Sequence, residues 1–293
     1  MANRKTPGEK AFDIWNYGFL TLVMLLTVYP FIHVVLSSIS DPVKLLLHSG
    51  VMLYPQGLSH LGYKYVFDNP MITRSYLNTI QYVLVGSAIN MVMTTIFAYA
   101  LSRRGIFIRK TVMLLVIFTM FFSGGLIPSY LLVLNLGFIN KIWALVIPGA
   151  INTWNLIILR TAFENVPEGL SESAKIDGAN DFAILFRIMI PLVLPVLLVI
   201  LLFYSVGHWN SWFSALIFLR SREKFPLQLI LREILISMDT ENMLTTVTGP
   251  NRGAISELVK NATIIVATLP IICVYPFLQK YFIKGVMIGA MKE

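Results

Sequence analysis

Residues 171–191 read SESAKIDGANDFAILFRIMIP and set small side chains and charges of both signs between two strongly apolar stretches. The smallness of these side chains lets a second backbone approach closely, so the chemistry they offer is docking. Groups that could do bond chemistry are sparse. His33, His48, His60 and His208 stand singly, with no H-E-x-x-H or paired-carboxylate pattern, so no metal site and no nucleophile with its base is expected. Cys273, the single cysteine, lies in an apolar run and reads as a small buried hydrophobe. No Gly-Lys dipeptide occurs, which removes the phosphate-cradling loop of a P-loop ATPase, and no cofactor is expected on this chain.

The elements that must carry residues 171–191 follow from composition. Of 293 residues, 56% are hydrophobic and only 13% charged, too apolar a balance for a water-soluble globule of this size. The net charge of +8 is scattered among apolar spans and forms no tract, which speaks for membrane topology and against nucleic acid. With about 20 apolar residues per crossing, six spans are expected, at 14–39, 76–101, 111–134, 142–160, 188–206 and 261–280. Arg4, Lys5 and Lys10 precede the first of them, which lacks a small-x-small cleavage site and reads as a retained span. Of the 23 lysines and arginines, 13 fall on the N-terminal side, while six of the others sit in the long 207–260 segment, which counts weakly. Both termini and the 164–187 loop are therefore expected in the cytoplasm and 207–260 outside. The fold class is an all-α integral membrane protein with one transmembrane domain over 1–293.

The external segment is too long for a turn. Leu227, Ile230, Leu231, Ile234, Leu235 and Met238 repeat at helical spacing opposite Gln228, Arg232 and Glu233, which predicts an amphipathic helix. Residues 209–219 read as an extension of the fifth span or an interfacial helix, and 237–253 as an exposed loop. No acidic or basic residue lies in the core of a span, which argues against an ion-coupled carrier; transport would draw its energy from elsewhere.

Within the opening stretch, Pro167 suits the first turn of a helix capped by Asn165, and Gly178 the left-handed residue that ends it after Asp177. Ser171, Ser173, Ala174, Gly178 and Ala179 supply the small surface. Asn180 or Asp181 can cap a second helix over 182–190, with Phe182, Leu185, Phe186 and Met189 as its apolar stripe, before Pro191 begins the fifth span. A helix-turn-helix rigidly joined to a span could act as a lever; the alternative is an ordinary interhelical loop.

At these residues the chain resembles the membrane subunits of binding-protein-dependent ABC importers. That family carries a cytoplasmic signature of the form E-A-A, three residues, G, nine residues, I-x-L-P, and Glu172, Ser173, Ala174, Gly178, Ile188 and Pro191 fall at that spacing. Serine replaces the middle alanine and Ile190 the leucine, both close in size or polarity. The resemblance covers the whole chain and is closest to the carbohydrate-type permeases, of the kind of the second maltose-importer permease. Among the oligosaccharide and polysaccharide importers it is most similar to the second permease subunit of an alginate importer.

The resemblance implies a type I ABC importer permease fold in the bacterial inner membrane, not itself catalytic, with ATP and Mg on two separate ATPase subunits. It also implies a second permease and an extracytoplasmic solute-binding protein as partners. Glu172, Ser173, Ala174, Asp177, Gly178, Ala179 and Phe182 become the expected ATPase-coupling residues, with Glu172 pairing a basic residue of the ATPase or merely stabilising its own helix N-terminus. The ending QKYFIKGVMIGAMKE is similar to that branch's C-terminal tail, so Gly285, Met287, Gly289 and Lys292 are expected to reach between the ATPase subunits. A sugar path needs amides, hydroxyls and aromatic faces; Asn78, Tyr82, Ser87, Asn90, Asn152, Asn155, Tyr204 and Asn210 are the candidates, most of them equally able to be packing contacts. Asp239, Thr240, Asn242, Asn251 and Arg252 are candidates for touching the binding protein. A passive membrane scaffold and a secondary carrier are the rival readings.

Overall fold

The computed structural model describes the backbone of residues 6–103, 105–244 and 250–290, with side chains to 236 and, in the last helix, at 253, 255–273 and 276. Among the described residues every regular element is helical: α1 (Pro7–Ser38), α2 (Pro42–Leu47), α3 (Leu61–Asp68), α4 (Pro70–Ser102), α5 (Arg109–Phe121), α6 (Leu126–Asn135), α7 (Trp143–Val146), α8 (Thr153–Glu164), α9 (Glu168–Ile176), α10 (Asp181–Trp209), α11 (Phe213–Phe218), α12 (Leu227–Leu244) and α13 (Pro250–Ala290).

The polarity of α4 is inverted relative to a water-soluble helix. Ser75, Thr79, Tyr82, Gly86, Asn90, Thr94, Ala98 and Ser102 recur three or four apart and are all buried, while Leu77, Leu84 and Val92 on other faces are exposed. Small and hydroxyl-bearing residues on the inner stripe allow close helix packing, and each exposed leucine would cost about 1.5–3 kcal/mol in water relative to burial. Lipid is the solvent that fits. Four helices are long and apolar enough to cross a bilayer, namely α1, α4, α10 and 255–273 of α13; α5 and α6, bent by 118° at their junction, supply a fifth if read as one crossing.

Two expected spans differ from this picture. The one over 111–134 is α5 and α6, broken where Gly124 and Gly125 interrupt the helix and Gly125 adopts a φ of +81°. The one over 142–160 is two short helices, α7 and α8, because Pro148 and Gly149 end the first and Asn152 caps the second through the Asn155 N–H at 3.1 Å. The 12 residues of α8 reach about 18 Å, short of the roughly 30 Å of a hydrocarbon core. Cys273 is exposed rather than buried, on the surface of α13. Residues 237–244, expected as loop, continue α12, since no glycine or proline interrupts the chain from Leu227 to Leu244.

The chain divides into two compact units, one of residues 1–70 with 233–268 and one of 71–232 with 269–293. In the first, α1 begins with a capping box in which Glu9 N donates to Thr6 Oγ1 and Thr6 N to Glu9 Oε2. His33 is hydrogen-bonded within α1, to Ser37 at 3.4 Å. Ser38 Oγ meets Tyr63 OH at 2.9 Å, and α3 approaches α13 at Gly62, where a Cβ would stand 3.1 Å from the Leu258 carbonyl oxygen.

The second unit holds the larger core, built from Ala98, Tyr99, Leu156, Leu159, Phe163, Ile184, Leu185, Met189 and Leu197 on α4, α8 and α10. Elsewhere in this unit the turn at 220–221 is fixed by Asn140, which adopts a φ of +60°, accepts from the Arg220 and Ser221 N–H groups at 3.2 and 3.1 Å and donates to Ser221 Oγ at 2.9 Å. Asn140→Ala removes these bonds and strains the backbone. It is expected to cost about 2–4 kcal/mol, with Asn140→Gly recovering only the strain share, read as thermal midpoints of the purified membrane protein.

Candidate coupling helix and transport cavity

Glu168–Ile176 is a nine-residue helix closed at its end by a complete left-handed cap. Gly178, at a φ of +80°, donates to the Lys175 carbonyl at 3.0 Å, and Ala179 N donates to the Ala174 carbonyl at 2.9 Å. Two residues later Asn180 Oδ1 accepts from Ala183 N at 2.8 Å and starts α10. At the other end Asn165 does not cap α9; it closes α8, and Pro167 is the N-cap without a side-chain bond.

Pro191 does not begin a new helix. α10 runs from Asp181 through Trp209, and residues Leu185–Met189 form a π turn in which Ile190 N donates to the Leu185 carbonyl. A proline ring collides with the carbonyl four residues back and offers it no N–H, and widening the preceding turn absorbs both. The candidate coupling segment therefore joins the long apolar helix through one glycine turn and no flexible linker.

The residues of this segment divide by direction. Glu172, Ser173, Asp177 and Gly178 are exposed, as is Phe182 at 65%, and Ile176 stands 87% exposed. Ser171 is buried, and Ala174 and Ala179 are half-buried against the large core. Smallness at these three positions thus serves the fit of α9 onto the bundle, a use the sequence alone did not show. Glu168 occupies the first turn of α9, and Glu172 lies one turn further in, beyond the reach of the helix N-terminal charge; among the described residues no ion pair holds it. Lys175 and Asp181 face each other across the Gly178 turn at 3.6 Å.

The polar candidates sort into three groups. Asn78 donates to the Glu223 and Phe225 carbonyls and Tyr82 to the Lys224 carbonyl, so these two pin the turn at 222–225 and are packing contacts. Asn210 is the exposed C-cap of α10. The rest gather around the break between α7 and α8. Asn90 Nδ2 donates to the Gly149 and Ala150 carbonyls at 2.7 and 2.9 Å, and Tyr204 OH accepts from Asn152 N at 2.9 Å. Backbone groups freed at a helix break inside a membrane protein need such partners, which is why a buried amide and a phenol occur there.

Across the same place α4 and α10 are joined by Ser87 with Ser205 at 3.2 Å, Thr94 with Tyr204 at 2.7 Å and Asn90 Oδ1 with His208 Nε2 at 2.6 Å. Because both Asn90 amide hydrogens are taken by carbonyls, its oxygen faces His208, and Nε2 carries the imidazole proton. His208 is a solitary histidine in the sequence, and only the fold sets it against Gly86, whose Cβ would stand 2.5 Å from Nε2. Beside these groups opens a cavity of about 460 Å³ lined by Asn90, Asn152, Trp154, Asn155, Tyr204 and His208 among others. Amides, a phenol, an imidazole and an indole face without a fixed charge are what a hydroxyl-rich ligand requires.

The tail candidates Gly285, Met287 and Gly289 lie on the backbone of α13 with their side chains outside the described ones, and Lys292 lies outside the described residues. The side chains of Asp239, Thr240, Asn242, Asn251 and Arg252 are likewise outside them.

Residues 84–288, which include the cavity, α9 and all of α10, match the family described as binding-protein-dependent transport system inner membrane component. The chain belongs to that family. It is 41% identical over 284 residues to the polygalacturonan/rhamnogalacturonan transport system permease protein YtcP of Bacillus subtilis (strain 168), covering 97% of this chain and 99% of that one. It is also 41% identical over 291 residues to the protein LplC of the same organism, covering 98% and 97%. Among solved structures it is similar to a chain of a bacterial ABC transporter involved in the import of the acidic polysaccharide alginate, with a TM-score of 0.86, 32% identity and coverage of 96% and 100%.

Proposed function

We propose that this chain is one permease subunit of an ATP-driven importer in the bacterial inner membrane. With a second permease it forms the path for an acidic oligosaccharide or polysaccharide, delivered by a solute-binding protein and driven by a separate ATPase dimer that holds ATP and Mg. The observation that carries the reading is the construction of α10, whose first residues close the exposed docking segment and whose last turns present Tyr204 and His208 to the cavity. A displacement of the docking helix by the ATPase reaches the cavity through one continuous helix, as a two-state permease needs.

The substrate class rests on the relatives, whose printed substrates, polygalacturonan, rhamnogalacturonan and alginate, all contain uronate sugars. Alginate is one member of the class and galacturonate polymers another. Trp154, largely exposed beside the cavity, offers a face on which a sugar ring can stack. Trp154→Ala is expected to raise the KM for uptake of a labelled uronate oligosaccharide about tenfold while leaving assembly with the ATPase unchanged. Uptake of a uronate panel at unaltered KM by that variant would remove the cavity from the path, and uptake of neutral oligosaccharides alone by the unaltered complex would remove the substrate class.

A further inference from the structure

We infer that Arg103 is a positioning residue that carries the movement of the docking helix into α4, a second mechanical line besides the covalent one through Gly178 into α10. This rests on the importer reading above. Arg103, one residue past the end of α4, donates from Nη1 to Ser171 Oγ at 2.9 Å, and its guanidinium lies over the Tyr99 ring with 4.2 Å to the centroid. Ser171 is the buried residue of α9, so the bond ties the inward face of the docking helix to the last turn of α4. About two to four turns back along α4, Ser87, Asn90 and Thr94 are each bonded to α10. Both helices whose side chains meet at the cavity are thus anchored to the same short helix, α4 by its C-terminal end and α10 by its N-terminal end.

The energetics of Arg103 fit a transmitting part better than a stabilising one. Its Nε and Nη2 are buried with no hydrogen-bond partner among the described residues. A guanidinium left with unsatisfied donors costs stability, and an apolar side chain of similar length often does as well or better in such a place. What methionine cannot supply is the directional bond to Ser171.

The test uses the assembled complex in proteoliposomes with its ATPase and a substrate-loaded binding protein. Arg103→Met is expected to leave the thermal midpoint of the complex unchanged or higher and basal ATP hydrolysis present, while sugar taken up per ATP falls about tenfold, a size typical of coupling between sites. Ser171→Ala should produce the same loss, and the two changes together no more than either alone. Arg103→Lys, which keeps a donor, should recover part of it. Uptake per ATP at the unaltered level in Arg103→Met would overturn the inference, as would additive losses in the double variant or a fall in thermal midpoint matching the fall in uptake. Failure of the unaltered complex to hydrolyse ATP with its partners would instead count against the importer reading.

Discussion

Gly178→Val is expected to give a permease that inserts, folds and binds its ATPase, in a complex that hydrolyses ATP without moving sugar. Gly178 sits at a φ of +80°, where an L side chain brings its Cβ toward the following carbonyl at a cost of about 1–2 kcal/mol, with more for a branched one. Space is not the obstacle, since a Cβ there would meet nothing within 4 Å. Strain alone acts, and the cheapest relief is to open the cap in which Gly178 N and Ala179 N hold the last turn of α9. The docking helix then hangs on a pivot where it had a rigid corner, and its displacement is lost before it reaches α10. Gly178→Asn is the control, because asparagine tolerates the left-handed region, and it should retain most of the coupling. Parallel assays of ATP hydrolysis and uptake in proteoliposomes separate the outcomes; full uptake by the valine variant would show that the corner need not be stiff.

Gly86→Ala is expected to have the largest effect on the bundle itself. A single added methyl would stand 2.5, 2.6 and 2.9 Å from His208 Nε2, Cε1 and Cδ2, against the face of a ring and not the tip of a flexible chain. The ring cannot simply turn away, because Nε2 is bonded to Asn90, whose amide hydrogens hold the carbonyls of the break between α7 and α8. Overpacking at such a contact costs about 1–3 kcal/mol, and here it also disturbs the cavity wall. A lowered thermal midpoint of the purified complex and a deep loss of uptake are expected. Adding His208→Ala should recover part of the midpoint by removing the clash, the rest staying lost, with uptake, because Asn90 Oδ1 then lacks its donor. An active, undestabilised Gly86→Ala protein would mean that α4 and α10 stand further apart than the structure has them.

What the sequence revealed and what it hid divide along a physical line. Local backbone chemistry was legible: Gly178 and Asn180 announced the end of one helix and the start of the next, and the long apolar runs announced α1, α4 and α10. The break at 147–152 was masked: Pro148-Gly149 is a turn pair, but Ile147, Ala150 and Ile151 keep the run apolar around it, and the partner that satisfies the freed carbonyls, Asn90, lies on another helix. For the same reason Asn78 and Tyr82 could not be told from Asn155: only the fold decides that the first two bond to carbonyls at 223–225 and the third lines a cavity. Smallness at Ala174 and Ala179 was readable, and its direction was not. Arg103 looked like one more cytoplasmic-side charge, since nothing local points it at Ser171.

The central claim, that this chain couples ATP hydrolysis by partner subunits to passage of a uronate oligosaccharide, is tested most directly by the ATPase rate of the assembled complex with binding protein added empty or loaded. Loaded binding protein carrying oligogalacturonate or oligoalginate is expected to raise the rate several-fold over empty protein, with neutral oligosaccharides leaving it unchanged. A chain that copurifies with no ATPase, or whose ATPase rate ignores the loaded binding protein, would contradict the claim and favour a passive membrane scaffold.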